Sequence, residues 1–416
     1  MLDIKFIREN PQAVRQALAN RHDEAPLDEI LELDGARRQK VSELEELRRQ
    51  RKDAAKQRQT EEAAAEAGRV LRSRISENEA VVRDTEERLH GLMLQVPNIP
   101  QPDVPVGAGE DDNIVLRSWG DIPSFSFAPK PHWELGESLG IIDFERGTKL
   151  SGSRFYVLRG PGARLQRALI TYMLDLHTTR HGYTEVYLPF MVKEETMVGS
   201  GNLPKFADHL YHDIEEDFWF VPTAEVPITS FHRDEILAAE DLPLHYVAYT
   251  ACFRREKMSA GKDTRGIKRG HQFDKVEIYK LTVPETSNDE LEKLLLDAED
   301  VCRQLKLPYR IVQLCTAEIG FASSKSYDIE VWAPGCGEWL EVSSCSNCLD
   351  FQARRANVRY RPAPDAKPQF VHTLNGSGLA LPRVLISVLE NNQRADGSVT
   401  VPEVLRPFVG TDIISI

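Results

Sequence analysis

Leu71, Ile75, Asn78, Val82, Thr85, Leu89, Leu92 and Val96 follow one another at spacings of four and three in strict alternation. That is the seam of a coiled coil. Upstream the pattern is less regular, with Leu27, Ile30 or Leu31, Val41 and Leu44, then polar and alanine positions. Residues 27–96 contain no proline, so the spacing predicts two helices folded back as an antiparallel hairpin. A break is expected near residues 57–67, and each limb should reach ~50 Å at ~1.5 Å per residue. Before it, Asn10 and Pro11 suit the start of a short helix whose Val14, Ala17 and Leu18 share one face. After it, Pro97 to Gly109 is rich in proline and glycine, which deny helix and loosen the chain. Further on, Gly162 to Arg180 reads as an amphipathic helix with Leu165, Leu169, Tyr172, Met173 and Leu176 inward, followed by a strand, Tyr183 to Leu188, stopped by Pro189. Residues 250–279 read as a long-looped antiparallel hairpin. An apolar-aromatic strand ends in Phe253, and the alternating return runs Phe273, Lys275, Glu277, Tyr279.

These patterns divide the 416 residues into an N-terminal domain (1–96) carrying the hairpin (27–96), a linker (97–112) and a body (113–416). No run approaches the ~20 apolar residues of a membrane span, and there is no signal-peptide pattern. The six cysteines, at 252, 302, 315, 336, 345 and 348, lack the density of a disulfide scaffold. A cytoplasmic protein without a membrane partner is expected. The net charge of −13 repels nucleic acid as a whole and argues against general DNA binding, so any such partner must be met by a local basic patch. The hairpin has one. Arg48, Arg49, Arg51, Lys52, Lys56 and Arg58 stand against the single acid Asp53, with Arg69, Arg72 and Arg74 returning beside them. Phosphate contact is one reading of this basic distal half; a solvated helical face is the other.

Within the body, chemistry gathers at a few places. The 250–279 hairpin carries Arg254 and Glu256 at its base, and its loop holds Lys257, Lys262, Arg265, Lys268 and Arg269 with Gly261, Gly266 and Gly270 as hinges. Alternation would put Arg254 and Glu256 on one strand face, and Phe273 and Glu277 on the other strand's. Such a surface offers a guanidinium for phosphate, a carboxylate for an amine and a ring for a base, or it is an ordinary hairpin with ion pairs. Thr223 and Glu225, two apart in a proline-bounded segment, could hold an ammonium or belong to a simple loop. Glu341 and Ser344 offer hard oxygens that suit magnesium already held by triphosphate. Cys345 and Cys348 make only half a zinc site, and no second pair sits at ligand spacing, so no zinc is expected. Arg383 opens an apolar helix, a costly place for a cation unless it meets an anion. There is no P-loop and no dinucleotide fingerprint.

The Phe253-Arg254-x-Glu256 signature, the return Arg269-x-His-Gln-Phe273 and Glu277 resemble motif 2 of class II aminoacyl-tRNA synthetases, and within that class the seryl-tRNA synthetase family, with an arm of the bacterial type. The resemblance implies an α+β fold: an antiparallel class II sheet flanked by helices, with the coiled-coil arm projecting from it. It implies ATP, L-serine and tRNA(Ser), by family also tRNA(Sec), as partners of a homodimer, and Mg²⁺ arriving with ATP. Residue by residue, it implies that Phe273 stacks on adenine and Glu256 accepts from its amino group. Arg254 and Arg383, the latter matching motif 3, would neutralise charge at phosphorus as the catalytic pair, with Arg269 assisting. Thr223 and Glu225 would hold the serine amine, Glu277 and Ser377 would read its hydroxyl, and Asn375, with Arg254, would join the serine site. Glu341 and Ser344 match the metal-binding pair, and the basic stretch of the arm would grip tRNA. Two positions depart from the family pattern: Arg255 fills a slot where a small residue is usual, and Lys257-Met258 enters the loop where small residues are common. A carrier-protein ligase related to this class would be expected to lack the basic arm, and a silent paralogue to have lost Arg254, Glu256 or Arg383.

Overall fold

Two helices, Leu27–Ala54 and Glu61–Met93, are tied across by Arg37–Glu86 at 3.1 Å and Arg48–Glu79 at 2.8 Å, so the limbs run antiparallel. The computed structural model describes residues 1–54, 61–257 and 265–416; Lys56, Arg58, Met258, Gly261 and Lys262 lie outside the described residues. The second limb is already helical at Glu61, which narrows the break expected near 57–67. Along it, Ile75, Thr85 and Leu89 are buried and Leu71, Asn78, Val82 and Leu92 are half-buried, while most of the positions between them are exposed. Leu44 and Leu47 pack on Ile75. The seam also contains an ion that periodicity did not flag. Asp34 is buried among Arg8 at 3.0 Å and Arg38 at 3.1 Å, a burial that needs such partners to offset its desolvation. Asn10 precedes the helix Pro11–Asn20 but does not cap it; its amide donates back to Phe6 O at 3.1 Å.

This unit spans Met1–Pro97, and a second runs Asn98–Ile416. The proline-rich stretch is sewn onto the second unit. Asn98 donates to Ala322 O at 2.9 Å and Cys348 O at 2.8 Å, and Val104 packs with Leu314 and Ile319. Proline forbids helix there, yet the remaining donors still find carbonyls.

The second unit is built on an eight-stranded sheet. Its strands in chain order are β1 (Ile114–Trp119), β2 (Thr184–Glu185), β3 (Leu244–Phe253), β4 (Gln272–Thr282), β5 (Tyr309–Gln313), β6 (Lys325–Ala333), β7 (Glu338–Leu349) and β8 (His372–Ala380). Their spatial order is β1-β5-β6-β7-β8-β4-β3-β2. Neighbours are antiparallel except β2, which runs parallel to β3. The strand expected over 183–188 shrinks to Thr184–Glu185, the only part in register with Tyr246 and Val247. Helices Pro161–Thr179, Ser287–Gln304 and Leu381–Asn391 share one apolar core with the central strands. Among the described residues no helix is long and apolar enough to cross a membrane.

Candidate active site

The register of the central strands decides which side chains meet. Glu277 on β4 lies opposite Ser377 on β8, and Lys275 opposite Ala380; on the other side Phe273 faces Cys252 of β3. Alternation along β4 therefore presents Phe273, Lys275 and Glu277 together. They line a cavity of about 750 Å³ whose wall also includes Thr223, Glu225, Arg254, Glu256, Arg269, Glu341, Ser344, Asn375, Ser377 and Arg383. Every body residue that the resemblance assigned to serine, ATP or metal lines this one space.

The route by which two groups arrive differs from the alternation argument. β3 stops at Phe253, so Arg254 and Glu256 lie past it, and Glu256 sits at φ 50°, a left-handed conformation costly for a side chain-bearing residue. Arg254 is instead held from two sides. Its amide donates to His271 O at 2.9 Å and its Nε to Pro222 O at 3.2 Å. The guanidinium then lies 5.0 Å from the centre of the Phe273 ring. Arg269 reaches Glu256 at 3.7 Å. Thr223 and Glu225 are not on an extended segment: Glu225 opens the short helix Glu225–Thr229, and its amide donates to Thr223 Oγ1 at 3.2 Å.

At the deep end, Thr223 donates to Glu277 at 2.8 Å, and Lys275 pairs with the same carboxylate. Glu225 takes hydrogen bonds from Gln352 at 2.6 Å and Asn375 at 3.1 Å. Burial, then the nearby Glu277 charge, pushes the Glu225 carboxyl up to about 7. This pocket floor is short of positive charge. Lys275 was not singled out beforehand, although its place on the Phe273 and Glu277 face was the signal.

At the other end, Arg383 donates to Glu341 O at 2.7 Å and lies 3.0 Å from its carboxylate. Asp328 on β6 stands opposite Ser344 on β7, half-buried, with one buried carboxylate oxygen lacking a protein partner. Burial and the Glu341 charge push it well above the usual carboxylate range. A buried orphan oxygen among hard donors fits a divalent cation. Asp328 and Glu330 both line the cavity and were missed; two acids two apart in an alternating strand were their signal. Cys345 and Cys348 are buried, burial pushes both thiols up, and among the described residues neither belongs to a cluster of three metal-ligating side chains.

Residues 1–100 match the seryl-tRNA synthetase N-terminal domain, and residues 207–392 the class II tRNA synthetase core domain of the G, H, P, S and T group. A serine–tRNA ligase of Dehalococcoides mccartyi is 67% identical over 414 residues, covering 100% of both chains. The chain belongs to the seryl-tRNA synthetase family. A serine–tRNA ligase of Thermomicrobium roseum is 58% identical, covering 99% of this chain and 94% of that one. The crystal structure of seryl-tRNA synthetase from Pyrococcus horikoshii complexed with ATP superposes with a TM-score of 0.94 at 40% identity, over 100% of this chain and 99% of that one. The antiparallel sheet is thus the class II synthetase sheet, and the helical hairpin lies in the seryl-tRNA synthetase N-terminal domain.

Proposed function

We propose that the protein is an ATP-dependent serine–tRNA ligase. The carboxylate oxygen of L-serine attacks the α-phosphorus of ATP, the bond to the bridging oxygen breaks, and pyrophosphate leaves seryl-adenylate behind. A terminal ribose hydroxyl of tRNA(Ser), or tRNA(Sec) where present, then attacks the acyl carbonyl and releases AMP. One observation carries this reading: a single cavity joins cations suited to phosphate, Arg254 and Arg383, with a carboxylate suited to an ammonium, Glu225.

Little covalent chemistry is asked of the protein, which works by positioning and by neutralising charge. Adenine stacks on Phe273, whose ring already carries the Arg254 guanidinium, and its amino group donates to Glu256. Arg254, with help from Arg269, faces the α-phosphate, and Arg383 faces the leaving phosphates. Glu225 takes the serine ammonium with Thr223 and Asn375 beside it, since Lys275 already neutralises Glu277. The serine hydroxyl is read between Glu277 and Ser377, which are cross-strand partners. Glu341 and Ser344, joined by Asp328, hold magnesium arriving with ATP; when bound it supplies neutralisation of the triphosphate charge.

A homodimer is supported by β1, the outermost strand of its sheet, which leaves Ile114, Val115, Leu116 and Trp119 exposed. Such a row needs a cover. The arm, with Arg48, Arg49, Arg51, Lys52, Arg69, Arg72 and Arg74, meets tRNA phosphates, and the protein works in the cytoplasm. Serine-dependent exchange of pyrophosphate into ATP, without tRNA, tests the reading. Exchange should occur with serine and fall by ~10⁴-fold with alanine, which leaves the hydroxyl-reading groups unpaired. No exchange with serine would refute it.

A further inference from the structure

Outside the cavity lies a cluster that the reaction does not use: His132, Cys336 and Glu390, whose ligand atoms all fall within 4.8 Å of one another. His132 opens the helix His132–Ser138, and Glu390 lies near the end of the helix Leu381–Asn391. Both are fully buried. Cys336 belongs to the turn between β6 and β7.

The hydrogen bonds assign every proton. Glu390 Oε1 accepts from the His132 amide at 2.8 Å, from His132 Nδ1 at 2.9 Å and from the Cys336 thiol at 3.1 Å. Its Oε2 accepts from the amides of Gly335 at 2.8 Å and Cys336 at 3.0 Å. Burial works against a charge at Glu390, but the His132 and Cys336 bonds outweigh it and hold the carboxyl below its usual range. On the far side of the ring, His132 Nε2 lies 3.1 Å from the amide of Ile267. An amide can only donate, so Nε2 is the bare nitrogen and Nδ1 carries the proton. A metal on Nδ1 would force the proton to Nε2, head-on against the Ile267 N–H. The cluster is therefore a hydrogen-bonded hub and not a metal centre.

What the hub holds is the returning end of the motif 2 loop. Ile267 is followed by Lys268, which pairs with Glu338, and Arg269, which reaches Glu256 at 3.7 Å; both cations line the cavity. Just before it, Gly266 sits at φ +76°, and a Cβ there would lie 2.0 Å from His132 Nε2. Only glycine lets the backbone come this close to the ring. The Arg265 guanidinium adds a contact 5.0 Å from the Trp133 ring. We propose that His132 is a positioning residue of the adenylation site: its bare Nε2, oriented by Glu390, fixes the Ile267 amide and so sets Lys268 and Arg269 on the cavity wall. The work of Arg269 on ATP rests on the function proposed above, and Lys268 lines the same wall.

Two amides separate the two bonds of the ring. In His132→Asn the amide stands where Nδ1 was, keeping Glu390 and losing Ile267. In His132→Gln it stands where Nε2 was, keeping an acceptor for Ile267 and losing the bond to Glu390. Pyrophosphate exchange should show KM for ATP raised about tenfold in His132→Asn, as for one lost hydrogen bond, with KM for serine within about twofold of wild type. His132→Gln should rescue KM for ATP to within about threefold even if its melting temperature falls as much. Gly266→Ala should behave like His132→Asn. Equal KM for ATP in the two amide variants, or a parallel rise in KM for serine, would overturn the proposal. A second measurement needs neither activity nor a variant: hydrogen exchange of the intact wild-type protein. A protected Ile267 amide supports the anchor, and one exchanging at the rate of a solvent-exposed amide overturns it. Were the wild type to show no exchange of pyrophosphate at all, the ATP reading would fail, while the Ile267 result would still decide the anchor.

Discussion

On the hairpin, Arg48 meets Glu79 at 2.8 Å with the two side chains 53% and 45% exposed. In the cavity, Lys275 meets Glu277 with the two side chains 9% and 2% exposed. The chemistry is the same and the energetics are not. An exposed pair contributes about 0–1 kcal/mol and is screened by salt, so Arg48 can leave Glu79 for a phosphate at small cost. Breaking a buried pair by removing one partner costs about 3–5 kcal/mol, so Lys275 and Glu277 are committed to one geometry. The arm is organised for exchange of partners and the cavity for fixed ones.

The strongest way to break that division is to remove the arm. Arg37–Glu86 and Arg48–Glu79 show which positions face each other, so residues 42–83 can be replaced by a short Gly/Ser turn between matching points. All the cavity residues lie in the Asn98–Ile416 unit. Serine-dependent pyrophosphate exchange should therefore stay near wild type while tRNA charging is almost lost. A folded protein that loses exchange as well would show that the division is drawn in the wrong place.

Next in size is Glu277→Ala, which removes the proposed hydroxyl reader and strands Lys275 in a buried site. Serine activation should fall by ~10²-fold or more, with a lowered melting temperature. Glu277→Ala combined with Lys275→Met should recover stability without recovering activity, because no lone charge is left behind. Wild-type exchange in the single variant would take Glu277 out of the serine site.

A smaller effect follows from Glu225, pushed up to about 7 by burial and then by Glu277. The serine ammonium prefers the charged carboxylate, so KM for serine should fall by at most about tenfold as pH rises from about 6 to about 8. The stability sign is opposite. A carboxyl whose pKa is raised on folding contributes stability below its unfolded value of 4.5, and that stability is lost as pH rises through about 7. Melting temperature without serine should drop across this window, and saturating serine should reduce the drop. A flat KM profile, or an unchanged profile in Glu225→Gln, would remove the group from ammonium binding.

How legible each region was in the sequence follows the same contrast. The seam Leu71, Ile75, Thr85, Leu89 was readable because a helix repeats and burial follows the repeat. Asp34, on the other limb, put a charge into a buried position and was invisible, since its partners include Arg8, from another helix. In the body, the motif residues gather in one cavity, while their local geometry was not readable. Arg254 and Glu256 turned out to follow the strand, not to sit on it, because what holds Arg254 is His271 and Pro222, both distant in sequence. Asp328 and Lys275 were hidden for a related reason. A charged residue in a strand looks like a solvated face until register shows what lies across from it, Ser344 for Asp328 and Ala380 for Lys275.

The gentlest test asks whether the arm's cations are as exchangeable as their exposure suggests. Arg49 pairs with Glu46 one turn away, with its side chain 72% exposed, and Arg69 with Glu66 at 2.6 Å. Each of those two pairs lies along a single limb, and the pair Arg48–Glu79, which crosses between limbs, is exposed on both sides. Changing Arg48, Arg49, Arg51 and Lys52 to glutamine leaves Leu44, Leu47, Leu71 and Ile75 in place, so helicity should survive and stability should move by less than about 1 kcal/mol. Binding of tRNA should respond differently, because each phosphate contact releases counterions. If all four cations meet phosphates, the dependence of log affinity on log salt should flatten by ~3–4. Fluorescence titration of tRNA across a salt series measures it directly. An unchanged slope with unchanged affinity would mean that this face of the hairpin is only solvated, and the contrast with the cavity would then be one of burial and not of function.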